Sequence, residues 1–322
     1  MSVLIVIPCL NEKEHIEKLV RDLVSHNEAL APHIVIADGG SKDGTVEIAK
    51  ALAQEFDYVS YLHNPKRVQS SAINLAVKEF GQNKDYLIRI DAHADYPEDY
   101  CQVLLEEAKS SDASSVVVPM DTIGHKGFQE AVAAAQNSVM GNGGSAHRNS
   151  QSEGQWVDHG HHALMTIASY TSVDGYDESF SHNEDAELDK RIKDAGHTIW
   201  MTAKTSCTYY PRSTPLSLFR QYMKYGQGRV KTILKHKMKP KPRQLAPAVV
   251  FPAIVLALLS PLHIIFAIPL LSWAGLCFGY GLLLGFRDKK INVMLLSGIA
   301  AMTMHLGWSI GFWFGLLRGY KP

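Results

Sequence analysis

The first 120 residues switch repeatedly between two hydrophobic periods, and that alternation leaves few architectures open. Apolar runs at 2–7, 34–37, 59–62 and 86–90 have the length of strands. Between the first three, Ile16, Leu19, Val20 and Leu23, then Val46, Ile48, Ala49 and Leu52, recur at helical spacing, and 71–80 and 97–109 read as further helices. Strands alternating with helices imply crossover connections, so the expected fold class is α/β, Rossmann-like, with a mostly parallel sheet covered on both faces. Such sheets bind ligands beyond the carboxyl ends of their strands. Three loops lie there: PCLNE at 8–12, DGGSKDGT at 38–45 and DAHAD at 91–95.

Further along, 116–118 reads as a strand and 128–140 as a helix. The polar stretch NGGSAHRNSQSEGQ at 142–155 is too long for a tight turn and is expected to form a mobile active-site loop. A helix over 184–195 ends at Gly196, and the alternating residues 197–209 suggest strands. Cys9, Cys101, Cys207 and Cys277 are scattered with no CxxC pair, so reduced thiols are expected rather than a disulfide framework. The N-terminus has no basic leader and its apolar run is short, which makes it a strand and keeps the first part of the chain in the cytoplasm.

The 32 basic and 32 acidic side chains cancel, so no global field recruits nucleic acid. The charges are unevenly spread. Eight Lys or Arg and no acid fall between Lys224 and Arg243, whereas 246–286 and 291–317 carry no charge. A bilayer core needs roughly twenty apolar residues, so these runs predict about three spans. The basic flanks, including the loop 287–290, are expected on the cytoplasmic side. Three parts result: a catalytic domain at 1–210, a basic amphipathic interfacial segment at 211–244 and a transmembrane region at 245–322. Leu218, Phe219, Tyr222 and Met223 share one side of a helix in the middle segment, which suits either a membrane interface or ordinary docking.

Each motif has a structural and a chemical reading. DGGSKDGT follows a strand and opens a helix, so Asp38 can accept from a base or ribose, or Ser41 or Asp43 can cap the helix. Asn11 with Glu14 resembles a capping box, as does Asp95 with Glu98. Asp91 and His93 lie on one side of an extended segment and can hold a divalent ion against a diphosphate; the alternative is an ion-paired carboxylate and a surface histidine. Asn183 can cap the helix that puts Glu184 and Asp185 in its first turn. HGHH at 159–162 lacks ligands at zinc spacing, so His161 or His162 is better placed on the acceptor side of a cleft, with Trp156 offering a face to a sugar.

Taken together, IPCLNE, ADGGSKDGT, DAHAD, GYDESFSHNED and QYMKY at 221–225 resemble the inverting family 2 glycosyltransferases of the GT-A fold over about residues 2–230. Within that family the likeness is to succinoglycan-type membrane glucosyltransferases acting on undecaprenyl-diphosphate oligosaccharides. The resemblance implies a nucleotide pocket from Pro8, Asn11, Glu12, Asp38, Arg67 and Asp91, and a cation, Mn2+ or Mg2+, at Asp91 and His93. It makes Asp185 the catalytic base with Glu184 beside it, and puts Gln221, Lys224 and Tyr225 with Trp156 and His161 on the acceptor side. His93 stands where relatives carry a second aspartate, and Lys224 and Tyr225 where they carry Arg and Trp. The implied partners are a UDP-sugar, a polyprenyl-diphosphate-linked glycan and membrane lipids, at a bacterial inner membrane with the catalytic part in the cytoplasm and exopolysaccharide as the product. A processive synthase and a non-catalytic nucleotide-binding scaffold are the alternatives.

Overall fold

A computed structural model describes residues 2–144 and 153–319. In chain order the elements are β1 (Val3–Cys9), α1 (Ile16–His26), β2 (His33–Asp38), α2 (Thr45–Glu55), β3 (Val59–His63), α3 (Gln69–Phe80), β4 (Tyr86–Arg89), α4 (Tyr100–Ser111), β5 (Ser115–Val118) and β6 (Met120–Thr122). Then follow α5 (Gly127–Gln136), α6 (Val139–Asn142), β7 (Gln155–Trp156), β8 (His161–Thr166), α7 (Ile167–Ser172), α8 (Glu184–Asp194), β9 (Ile199–Met201) and β10 (Cys207–Tyr209). The chain closes with α9 (Pro215–Lys235), α10 (Pro242–Leu245), α11 (Val250–Ala257), α12 (Ile268–Asp288) and α13 (Ile291–Arg318). Two compact units result: Met1–Met120 with Ser150–Tyr209, and Asp121–Asn149 with Tyr210–Pro322.

In the first unit an eight-stranded sheet runs in the order β3-β2-β1-β4-β8-β5-β9-β7. The pairs β1–β2, β2–β3, β1–β4 and β5–β9 are parallel. Their near-continuous apolar sequences fit this burial: Leu4, Ile5, Val6 and Ile7 of β1 and Ile34, Val35 and Ile36 of β2 are fully buried. One strand breaks the pattern. β8 enters antiparallel between β4 and β5, so its first residues arrive at the ends where its neighbours' chains leave the sheet. Its pairing also slips: Val116 faces Leu164 but Val117 faces His162, so Ala163 is an extra residue, a β-bulge. All four cysteines are buried and none forms a disulfide.

Two capping expectations are corrected. α4 begins at Tyr100, after a turn in which the Tyr100 amide donates to Pro97 O, so Asp95 and Glu98 form no capping box; Asp95 instead bridges Thr208 through its backbone. Asn183 precedes α8 with φ of 67°, outside the extended backbone that an N-cap residue normally takes, and makes no side-chain cap.

The second unit gathers helices around α13. The stretch expected as one helix at 128–140 divides into α5 and α6, because Ser138 turns extended and the Asn137 side-chain Nδ2 donates to Thr122 O at 2.8 Å. Val132 and Ala135 of α5 and Leu218 of α9 pack with Cys277, Ala300, Ala301 and Met304. The apolar side of α9 thus meets other helices of its own unit. About three spans are expected from sequence, but among the described residues two helical segments, Ile264–Asp288 and Ile291–Arg318, are long and apolar enough to cross a membrane. The first uncharged run, expected to give two spans, gives one, because turns at Pro247 and after Ala257 leave α11 only eight residues.

The pair α12–α13 approaches backbone to backbone at Gly281 and Gly298. A Cβ at Gly281 would lie 2.6 Å from Gly298 N, whereas one at Gly279 would meet nothing within 4 Å. Gly281→Val should therefore force the helices apart, costing about 1–3 kcal/mol by overpacking, while Gly279→Val is near neutral. Thermal unfolding of the two variants in detergent checks this, and equal midpoints would contradict the packing.

Candidate active site

The loops after β1 and β2 emerge side by side because the strands pair in parallel with Cys9 opposite Asp38 and Pro8 opposite Ala37. Asp38 is fully buried and organises the turn beyond it: Oδ1 accepts from the amides of Gly40 at 2.7 Å and Ser41 at 2.9 Å, and Oδ2 accepts from the Ser41 hydroxyl. Burial, with Asp38 adjacent, pushes the Cys9 thiol up, so it stays protonated. Asn11 is not a helix cap. With φ of 58° it links the two loops, its amide donating to Ser41 Oγ at 2.7 Å and its Oδ1 accepting from the Lys42 amide at 3.0 Å. Glu12 adds a third link, its amide donating to Thr45 Oγ1 at 2.9 Å. Gly44, with φ of 104°, is the N-cap of α2, and Asp43 before it accepts from the Thr45 amide at 3.1 Å and the Thr45 hydroxyl at 2.6 Å. Arg67 closes the group, since a Cβ at Gly40 would lie 3.7 Å from its Nε and Nη2. The residues expected around a nucleotide are thereby brought together at one end of the sheet, where the amides of Gly40 and Ser41 form a polar turn.

Beside them, Arg89 at the end of β4 is the centre of a buried ionic network. Its Nε lies 3.1 Å from Asp91 Oδ1 and its Nη1 2.7 Å from Asp185 Oδ1. Gln69 donates to Asp91 Oδ1 at 2.9 Å, and the Tyr176 hydroxyl donates to Asp185 Oδ1 at 2.9 Å. His161 bridges the other oxygens: Nε2 is 3.7 Å from Asp91 Oδ2 and Nδ1 is 4.0 Å from Asp185 Oδ2. Burial would raise the Asp91 carboxyl, but Arg89 and the nearby imidazoles outweigh it and hold Asp91 well below the carboxylate range. Asp185 is lowered in the same way, burial being opposed by Arg89, His162 and His161. Burial lowers His161 to about 4 despite the two carboxylates, so it is neutral near pH 7. Glu184 moves the opposite way, raised by burial and by Asp185 next to it.

Asp91 is thus ion-paired, and His93 is half exposed with Nδ1 3.0 Å from Glu12 Oε1. Among the described residues no three metal-ligating side chains converge. The rest of HGHH turns to α8: His159 Nδ1 is 2.7 Å from Asp189 Oδ2 and His162 Nε2 is 3.0 Å from Asp189 Oδ1. Trp156 is not brought to the carboxylates. It lies exposed on the edge strand β7, its ring edge-to-face with Trp200 at 5.0 Å. Gln221, Lys224 and Tyr225 belong to α9 in the second unit, where Gln221 donates to the Tyr225 hydroxyl at 3.0 Å. The polar stretch 142–155 lies largely outside the described residues.

Sequence reasoning missed Arg89, Gln69, Tyr176 and Asp189. Arg89 left a signal, a cation inside an otherwise apolar strand, which near acidic residues marks a buried pair.

Comparison with known proteins agrees with this geometry. The chain is 53% identical over 316 residues to succinoglycan biosynthesis protein ExoA of Rhizobium meliloti (strain 1021), covering 98% of this chain and 95% of that protein. It is 25% identical over 240 residues, 70% of this chain and 72% of the other, to the dolichyl N-acetyl-alpha-D-glucosaminyl phosphate 3-beta-D-2,3-diacetamido-2,3-dideoxy-beta-D-glucuronosyltransferase of Methanococcus voltae. In fold it resembles a Pyrobaculum calidifontis mannosyltransferase solved with GDP-Man and Mn2+, with a TM-score of 0.60 at 18% identity over 94% of this chain and 86% of that one. The sheet, with its loops gathered at the carboxyl ends of β1, β2 and β4, is of the GT-A type. The family model for glycosyl transferase family 2 matches residues 4–170, and the chain belongs to that family.

Proposed function

We propose that this glycosyltransferase is an inverting, membrane-anchored enzyme that moves a sugar from a nucleotide donor, UDP-linked, to a lipid-linked glycan in exopolysaccharide assembly. The observation that carries the reading is the placement of Asp91 and Asp185 on either side of Arg89, next to the turn built by Asp38. Asp38, Asn11, Glu12, Pro8 and Arg67 hold the nucleotide. Asp185 has one oxygen fixed by Arg89 and Tyr176, while among the described residues Oδ2 is approached by His161 at 4.0 Å and is placed to take a proton. In the transfer the acceptor hydroxyl attacks the anomeric carbon and passes its proton to Asp185. The bond to the diphosphate breaks with its electron pair on the leaving oxygen. Glu184, whose carboxyl is raised by burial and by Asp185 beside it, completes the acidic turn.

The donor set at Asp91 and His93 fits a divalent cation of the Mn2+ or Mg2+ kind. Asp91 is ionised, His93 is close enough to lower it further, and a hard cation on a nucleotide takes one or two protein ligands with phosphate oxygens and water. When bound, the cation neutralises charge on the departing diphosphate. Anchoring is supported by α12, whose Leu271, Leu276, Leu283 and Phe286 are more than 60% exposed, a pattern suited to lipid. With the basic residues 224–243 facing anionic lipid, the catalytic part lies at the cytoplasmic face of a bacterial inner membrane. The lipid acceptor is supported by that placement and by the dolichyl-linked substrate in the name of the archaeal relative.

The test is to incubate membranes containing the protein with a panel of labelled nucleotide sugars and to extract lipids. One UDP-sugar should label a lipid-linked glycan; label only in free sugar or long polymer would overturn the reading. EDTA should abolish labelling and Mn2+ or Mg2+ restore it, whereas full activity in chelator would remove the cation from the account.

A further inference from the structure

Asp189 has no part in the chemistry above, yet its carboxylate is fully buried and held from several directions. His159 Nδ1 and the Gly160 amide bond Oδ2 at 2.7 and 3.3 Å, while Oδ1 has no hydrogen-bond partner among the described residues and meets His162 Nε2 only as an ion-pair contact at 3.0 Å. It follows Asp185 by four residues on α8, so it lies one turn behind the proposed base on the same face. His162 spans both, its Nε2 being 3.4 Å from the backbone oxygen of Asp185. Its other ring nitrogen, Nδ1, is buried with no hydrogen-bond partner among the described residues, a cost that simple packing does not require.

We propose that Asp189, gripped by His159 and His162, is a positioning residue that fixes the first turn of α8 so that the Asp185 carboxylate meets the acceptor hydroxyl. The inference rests on Asp185 being the base. Charge supports the geometry. Burial alone would lower His162, but Asp189 raises it to about 9, and Asp189 itself falls to about 2. The imidazolium–carboxylate pair is therefore kept at neutral pH, and its cation helps to hold Asp185 ionised. Breaking one partner of such a pair frees α8 to shift, and small misplacements of a reacting group have large kinetic effects.

The experiment is a double-mutant cycle on the purified full-length protein, with kcat, donor KM and UDP affinity measured for Asp189→Asn, Asp185→Asn and the double variant. Asp189→Asn should lower kcat about tenfold with donor KM and UDP affinity unchanged, and should cause no further loss in the Asp185→Asn background. Equal multiplicative loss in both backgrounds, or a fall in UDP affinity matching the fall in kcat, would show a general structural role and overturn the proposal. Should Asp189→Asn not fold, His159→Gln, which removes a partner on the more exposed side of Asp189, must show the same pattern. Wild-type kcat in that variant would also overturn it. Failure of the underlying reading looks different: Asp185→Asn would then keep wild-type turnover.

Discussion

Asp185→Asn should bind UDP as the wild type does while transfer falls by about 10²- to 10⁴-fold, the range expected for loss of a general base. Asparagine preserves the shape, and its Oδ1 still accepts from Arg89 and the Tyr176 hydroxyl, so the fold around it has no reason to change. Its amide nitrogen replaces Oδ2, the oxygen free to receive the acceptor proton. Nor is a charge stranded, because Arg89 retains Asp91 as its counter-ion. Calorimetric UDP binding beside a radiolabel transfer assay separates the two effects. Undiminished transfer would remove Asp185 from the chemistry, and lost UDP binding would place it in the donor pocket.

Arg89→Ala should have the largest effect on stability. The guanidinium is 5% exposed and serves two carboxylates that are themselves mostly buried. Its removal takes away the guanidinium that pairs both carboxylates, and breaking a buried pair in this way costs about 3–5 kcal/mol. For a domain of this size the thermal midpoint in detergent should fall on the order of 10 °C. Activity should fall with it, since the carboxyl groups of Asp91 and Asp185 then rise and both lose their fixed geometry. A midpoint within a degree or two of wild type would mean that solvent reaches the site and screens the pair.

The first four strands were legible in sequence to within two residues at either end, because each is a short apolar run set by local periodicity. The start of α8 at Glu184 was legible for the same reason. What escaped depends on contacts between distant residues. Arg89 meets Asp185 across 96 positions, and no local pattern says which acid a buried cation will face. The insertion of β8 between β4 and β5 was equally hidden, and with it the fact that His161 lies between the two carboxylates while His159 and His162 turn to α8. The missing span had a readable cause in Pro247 and Pro261, yet hydropathy over a forty-residue run averages such breaks away.

The bulge at Ala163 has a consequence for how this site can change. His161 and His162 pair in regular register with Val118 and Val117, and the bulge sets them out of step with Leu164 and Met165 beyond it; both rings reach carboxylates on α8. One inserted alanine separates the parity that buries Leu164 and Met165 from the parity that aims the imidazoles. Its deletion would keep the apolar layer while changing the surroundings of the two rings, so a well-folded descendant would fall silent through the loss of a single methyl-bearing residue.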